Sequence, residues 1–147
     1  MDIKQFVTFR IDDHLLGVDI LSVREINNFL EITTVQHAPD HVLGLINLRG
    51  QTVTVFDLGI LLGLAPRKFS EDSHNVIYKA EPVGLLVDRI GDVLAVEEQD
   101  IEPPPANLDG IGGEFIVGVV ELENELLMIL EPGKILESRS RDNGEKI

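Results

Sequence analysis

The sequence predicts an all-β protein made of two similar small barrels or sandwiches. Two internal repeats lead to this prediction. The segment Gly44–Leu48 returns 74 positions later as Gly118–Leu122, and Leu16–Ile20 returns 67 positions later as Val83–Val87. Because an internal repeat reveals the unit that was copied, we expect two equivalent halves that meet through apolar side chains. Short apolar segments separated by turns favour β structure over a parallel α/β sheet.

The first half contains five β-prone segments with turn signals between them. Asp12-Asp13 separates the first two, Arg49-Gly50 separates the last two, and Gly50 supplies the positive φ that a tight hairpin requires. A helical turn is expected over Gly59–Leu64. The predicted strands are Phe6–Ile11, Leu15–Ile20, Ile32–Val35, Leu43–Leu48 and Gln51–Phe56.

The second half repeats this plan after a connection over Ala65–Ser73. Its predicted strands are Asn75–Ala80, Val83–Val87, Val93–Glu97, Phe115–Leu122 and Leu126–Leu130. Prolines 103–105 and glycines 110, 112 and 113 predict an irregular stretch between them. A short helix is expected from Pro132 to Glu137. We therefore predict a single domain over residues 1–137, with subdomains of about 1–70 and 71–137, and a disordered polar tail over Ser138–Ile147.

Composition narrows the possible functions. The 147-residue chain has no cysteine, which rules out disulfides, thiolate metal sites and cysteine nucleophiles and suits a reducing compartment. Asp and Glu total 26 against 12 Lys and Arg, and the net charge of −14 disfavours nucleic acid as a partner. The sequence shows neither a membrane-spanning apolar run nor a signal-peptide pattern, so we expect a cytoplasmic protein without membrane insertion.

Residues suited to catalysis or metal binding are not arranged for it. His37 and His41 have the spacing of a helical metal pair, but Pro39 lies between them and disfavours a helix. The adjacent carboxylates Asp12-Asp13 and Glu97-Glu98 are better explained as turn and surface residues. No Gly-flanked nucleophile or phosphate-binding loop is present. We predict no catalytic, metal-binding or cofactor-binding residues.

One pair of charges merits a functional interpretation. Glu25 follows an apolar segment, and Arg49 lies at the predicted hairpin tip, where its guanidinium could bind a carboxylate in a bidentate manner. Spacing alone leaves open whether the two are solvated turn residues or a recognition site.

The segment Gly44-Leu45-Ile46-Asn47-Leu48-Arg49-Gly50, followed by alternating apolar residues to Asp57, resembles the signature hairpin of the CheW family of bacterial chemotaxis coupling proteins. Phe6–Phe9, Gly17–Ile26, Val83–Asp88 and Gly118–Val120 resemble further family segments in the same order. The resemblance covers about residues 4 to 137.

This resemblance implies two five-stranded SH3-like barrels and a non-enzymatic adaptor that couples chemoreceptors to the histidine kinase CheA. The implied partners are the regulatory domain of CheA, the cytoplasmic tip of chemoreceptors and other CheW copies in rings, which would place the protein at membrane-associated receptor arrays. By the same resemblance, Val23, Glu25 and Arg49 are candidate receptor contacts, and Glu25 and Arg49 are expected to form an ion pair. Gly44 and Gly50 frame the hairpin.

Other functions remain as alternatives. A small-molecule-binding β-barrel would require an apolar cavity with convergent polar groups, and a hydrolase would use some of the many carboxylates. An adaptor in a non-flagellar chemosensory pathway is a further alternative. The absence of receiver and kinase modules favours a stand-alone adaptor over an excised domain.

Overall fold

The computed structural model describes residues 2–28, 31–106, 108 and 113–135, and these form two five-stranded sheets. Sheet A has the order β8-β1-β2-β10-β9 and sheet B the order β3-β6-β7-β5-β4. Sheet A consists of β1 (Ile3–Ile11), β2 (His14–Asp19), β8 (Arg89–Glu97), β9 (Ile116–Glu121) and β10 (Leu126–Leu130). Sheet B consists of β3 (Val23–Asn27), β4 (Val42–Leu48), β5 (Gln51–Asp57), β6 (His74–Tyr78) and β7 (Val83–Val87).

In the described residues, helical structure is limited to short turns. The helix α1 (Leu58–Leu61) begins at Asp57, whose side chain accepts the backbone N–H of Ile60 as an N-cap. Three 3₁₀ turns cover Ile20–Ser22, Glu98–Asp100 and Gly113–Phe115. A further helical turn covers 132–135, which agrees with the helix predicted to begin at Pro132. The predicted all-β class with short helical turns is confirmed.

The strand registers reproduce the sequence repeat position by position. Gly44 lies opposite Val55 in β4–β5, and Gly118 lies opposite Ile129 in β9–β10. Ile129 and Val55 are again 74 positions apart, so the two hairpins have the same register. Each of these residues in turn faces a glycine across a parallel ladder, Val55 opposite Gly84 and Ile129 opposite Gly17. The predicted equivalence of the two halves is therefore present in the pairing of their strands.

The sheets do not, however, coincide with the two halves of the sequence. Sheet A combines β1 and β2 from the first half with β8, β9 and β10 from the second, and sheet B contains the remaining five strands. The division into subdomains of 1–70 and 71–137 is therefore corrected: each half gives its first hairpin to the sheet completed by the other half. A sequence repeat cannot reveal this exchange, because the repeated pattern is the same whether hairpins pair within a half or across halves.

Three apolar clusters hold the exchanged sheets together. The largest lies between the sheets and contains Phe9 and Leu16 of sheet A beside Phe56 and Leu85 of sheet B. Each sheet also encloses its own cluster, around Leu127 in sheet A and around Val53 in sheet B. Leu127 and Val53 are again 74 positions apart and are fully buried. The expected apolar contact between subdomains is confirmed, and its burial is the main stabilising contribution.

Two strand predictions need correction. The segment Ile32–Val35 forms no strand and contributes only an isolated bridge between Thr33 and Leu45. The strand β3 was not predicted, because Arg24 and Glu25 interrupt its apolar pattern at a bulge where the pairing with β6 shifts register. The predicted tail over Ser138–Ile147, residues 136–137 of the last helix, and Gly110 and Gly112 lie outside the described residues.

Candidate functional site

The candidate site is a seam where the two outer strands of sheet B meet. Strands β3 and β4 are four strand spacings apart in the sheet order, which is about 19 Å in a flat sheet. Nevertheless Arg49 Nη1 donates a hydrogen bond to Glu25 Oε1 at 2.5 Å, and Arg24 Nη1 donates to Gln51 Oε1. Sheet B must therefore curl until β3 reaches the tip of the β4–β5 hairpin. We call Arg24, Glu25, Arg49 and Gln51 the closing seam, because side chains rather than a backbone ladder join these edges among the described residues.

The hairpin tip places Arg49 in this seam. Leu48 pairs with Gln51, so Arg49 and Gly50 form a two-residue turn, and their φ angles of 51° and 85° are those of a type I′ turn. The Asn47 side chain accepts the backbone N–H of Gly50 at 2.9 Å and fixes the turn. The predicted positive φ of Gly50 is confirmed. Arg49 also adopts a positive φ, which is uncommon for a residue with a side chain. Its guanidinium extends from the hairpin tip to Glu25.

Further polar contacts support Glu25 from the interior of sheet B. Its second carboxylate oxygen accepts a hydrogen bond from Asn27 Nδ2 at 3.2 Å, and Asn27 Oδ1 accepts one from the buried Asn75 at 3.4 Å. The hydrogen bond from Arg49 lowers the pKa of Glu25, and the hydrogen bond from Asn27 lowers it further. Glu25 is therefore held as an oriented carboxylate, with its side chain 21% exposed against 67% for Arg49.

The remaining predicted site residues have mainly structural surroundings. Val23 is half-buried opposite Tyr78 in β6 and packs against the central apolar cluster. Gly44 has φ +150°, and a Cβ atom there would lie 2.1 Å from the carbonyl oxygen of Thr33. No larger residue fits without moving the backbone. Gly44, which the resemblance names as a residue that frames the hairpin, thus also has a steric role against the bridging segment at Thr33.

The closing seam breaks the equivalence of the two sheets. By the two repeat offsets, Glu25 corresponds to Asp92 and Arg49 corresponds to Glu123 in sheet A. Two acidic residues cannot form the ion pair that joins the edges of sheet B. Sheet A instead has a bidentate pair between Arg10 and Glu125, with bonds of 2.6 and 2.9 Å. The two sheets thus share a backbone plan but differ in their charged side chains at equivalent positions. Such a difference is expected if the Glu25–Arg49 pair serves a specific contact of sheet B.

One buried cation was not identified from the sequence. The Arg67 side chain is 4% exposed, and its Nη1 donates to Asp12 at 2.9 Å and to Asp88 at 3.0 Å. Burial lowers the pKa of this guanidinium, but the two carboxylates outweigh burial and the net shift is upward. Asp12 lies in the predicted turn between β1 and β2, and its carboxylate also accepts a hydrogen bond from Arg67. No sequence signal marks Arg67, because its partners are 55 and 21 positions away.

The alternative sites weighed from the sequence gain no support. Among residues 2–28, 31–106, 108 and 113–135, no group of three His, Asp or Glu side chains is placed to bind a metal ion. The ring centroids of His41 and Phe56 lie 5.6 Å apart in an edge-to-face arrangement. Buried apolar side chains fill the space that each curled sheet encloses. A surface cleft of about 360 Å³ is lined by charged residues such as Lys4, Glu98 and Glu131 beside Phe6 and Val117. No helix in the described part of the chain is long and apolar enough to span a bilayer.

The exchanged five-stranded sheets, their shared core and the ion-paired hairpin define a small all-β domain. Residues 5–140 match the family model of the CheW-like domain. Chemotaxis protein CheW of Rhizobium meliloti is 34% identical over 95% of this chain and 91% of its own, and the Treponema pallidum CheW is 32% identical over 92% and 83%. The crystal structure of scaffolding protein TtCheW from Thermoanaerobacter tengcongensis superimposes with a TM-score of 0.82 at 32% identity, covering 88% of this chain and 90% of that one. The chain belongs to the CheW family of chemotaxis coupling and scaffold proteins.

Proposed function

We propose that this protein is a non-enzymatic adaptor that couples chemoreceptors to the histidine kinase CheA, acting in the cytoplasm at membrane-associated receptor arrays. Membership of the CheW family supports this role. In the proposed mechanism, receptor and kinase bind separate surfaces, and the contacts differ between kinase-on and kinase-off states. Such differential contacts are what allow one partner to change the activity of another.

The observation that carries the receptor-binding part of the proposal is the closing seam. Glu25 is oriented by two hydrogen bonds, whereas Arg49 is 67% exposed and its guanidinium has further N–H donors besides the one that binds Glu25. A carboxylate held in place beside an exposed guanidinium can make directional polar contacts with a receptor helix. Val23, on the same strand as Glu25, adds an apolar contact at its partly exposed edge.

Apolar residues on outer strands are the proposed contacts for the CheA regulatory domain and for further CheW copies. Ile26 on β3 and Val93 on β8 are 36% and 49% exposed. They occupy equivalent positions in the repeat, 67 residues apart, and both lie on strands with one unpaired edge in the described structure. Exposed apolar groups at such edges favour protein contacts.

Charge reversal tests the receptor contact. We expect Glu25→Lys and Arg49→Glu each to reduce receptor-dependent kinase activity, because like charges then face each other where the receptor docks. The matched control reverses the Arg10–Glu125 pair of sheet A with Arg10→Glu and Glu125→Lys, which is another pair between an arginine and a glutamate. The control variants should retain coupling. An exposed ion pair contributes only about 0–1 kcal/mol to folding, so melting temperatures should change little in all four variants.

The double reversal distinguishes two ways in which the seam could act. If the Glu25–Arg49 pair only orients the surface, the double variant should recover part of the coupling. If either charge contacts the receptor directly, recovery should be small. Normal coupling in both single variants would refute the receptor assignment, and a large loss of melting temperature in both would assign the pair to structure. Loss of binding to isolated CheA regulatory domain would contradict the separation of the two surfaces.

A further inference from the structure

Arg67 lies at a junction between the two sheets. It belongs to the connection between α1 and β6, both associated with sheet B, but its guanidinium reaches Asp12 in the β1–β2 turn of sheet A. Its other carboxylate partner, Asp88, is the residue that joins β7 of sheet B to β8 of sheet A. One buried side chain therefore contacts sheet A and the crossover between the sheets.

Backbone and carboxylate contacts hold this junction on both sides. The Arg67 N–H donates to the fully buried Asp57 at the end of β5 with a distance of 2.8 Å. Asp88 accepts the backbone N–H of Asp12 at 2.7 Å, and the Asp88 N–H donates to the carbonyl of Arg10 at 3.0 Å. The sheets are thus joined here by a connected polar network rather than by a single pair.

The packing around the guanidinium leaves it little freedom. A Cβ atom on Gly59 in α1 would lie 2.2 Å from Arg67 Nε, so the side chain lies directly against the helix backbone. Arg67 Nη2 also donates to the carbonyl of Ala65 at 2.8 Å. Lysine could reproduce the charge but not this set of directed bonds, because its ammonium lacks the planar fork.

The geometry points to Arg67 as a positioning residue that fixes the orientation of sheet A relative to sheet B. This matters because the exchanged hairpins give each sheet strands from both halves of the chain, and the surfaces proposed above lie on both sheets. Apolar contacts between the sheets are non-directional. They favour burial of apolar surface but do not select one particular angle between sheet A and sheet B. The directed bonds of Arg67 supply the missing angular constraint. The consequence for coupling rests on the proposed function, whereas the orientation itself does not.

Distance measurements between the sheets test the orientation directly. The chain has no cysteine, so spin labels can be placed at Ala95→Cys in β8 and Thr52→Cys in β5, both exposed positions. We expect one narrow distance distribution in the otherwise unchanged protein and a broadened or displaced distribution with Arg67→Gln or Arg67→Lys. The matched control is Arg10→Gln, which removes a guanidinium pair confined to sheet A and should leave the distribution unchanged.

A surface variant covers the case in which Arg67→Gln fails to fold. Asp12→Asn neutralises a partner whose side chain is 57% exposed, and the proposal predicts that it also broadens the distribution. Unchanged distributions in folded Arg67→Lys and Asp12→Asn proteins, or equal broadening in Arg10→Gln, would overturn the proposal.

Kinase assays then separate this inference from the proposed function. With Arg67→Lys we expect retained binding to each partner alone but at least about a fivefold loss of receptor control over the kinase, at the lower end of typical coupling effects. Full receptor control despite a broadened distance distribution would overturn the link between orientation and coupling. Absence of receptor control in the unsubstituted protein would instead refute the proposed function and leave the orientation result standing.

Discussion

Replacement of the equivalent glycines Gly44 and Gly118 by alanine should have very different effects. At Gly44 the new Cβ atom would lie 2.1 Å from the Thr33 carbonyl oxygen, in a backbone conformation with φ +150° that side chains rarely adopt. Backbone strain of this kind costs about 1–3 kcal/mol. Overpacking against a rigid neighbour adds about 1–3 kcal/mol. We therefore expect Gly44→Ala to lower the free energy of unfolding by about 2–6 kcal/mol.

At Gly118 the nearest atom would be the Ile101 side-chain methyl Cγ2 at 2.7 Å, and the backbone has no unusual φ. The nearest contact is with a side chain rather than with backbone, so we expect an overpacking cost of about 1–3 kcal/mol without added backbone strain. The measurement is chemical denaturation followed by circular dichroism. Gly50→Ala is the control for a positive φ without a clash, because no atom lies within 4 Å of its Cβ position. Equal losses at positions 44 and 118, or a Gly44→Ala loss no larger than that of Gly50→Ala, would refute this reasoning.

Three further outcomes can be measured. Fragments 1–70 and 71–137 should each be unfolded alone and gain β structure when mixed, because each lacks the strands that complete its sheets; a folded isolated fragment would contradict the exchange. Arg10 lowers the pKa of Glu125, so this carboxylate stabilises the fold at neutral pH and loses that contribution as the pH falls through the lowered value. A small melting-temperature difference between the unsubstituted protein and Glu125→Gln should therefore be present at pH 7, begin to fall below the usual glutamate pKa of 4.5, and vanish once the pH is below the lowered pKa; a difference that does not shrink on acidification would contradict it. Removal of residues 138–147 should change the free energy of unfolding by less than about 0.5 kcal/mol and preserve kinase binding; lost binding would make the tail a recognition element.

The sequence alone determined the all-β class, the repeat and the main hairpin. These features depend on local patterns: alternating apolar residues specify strands, and the Arg49-Gly50 turn fixes the register of β4 and β5. The pairing of Glu25 with Arg49 also followed from the sequence, but only because the hairpin resembles a family signature. Spacing by itself left that pair undecided.

Tertiary structure decided which hairpin completes which sheet and how the sheets are joined. Equivalent strands have nearly the same apolar pattern, so pairing within or across halves buries similar surfaces and cannot be distinguished locally. Likewise, Arg67 lies in a connection with no regular pattern, and its three carboxylate neighbours become close only after both sheets have formed. Local sequence patterns specify the strands. The burial of Arg67 and the exchange of hairpins between the sheets depend instead on contacts between residues distant in sequence.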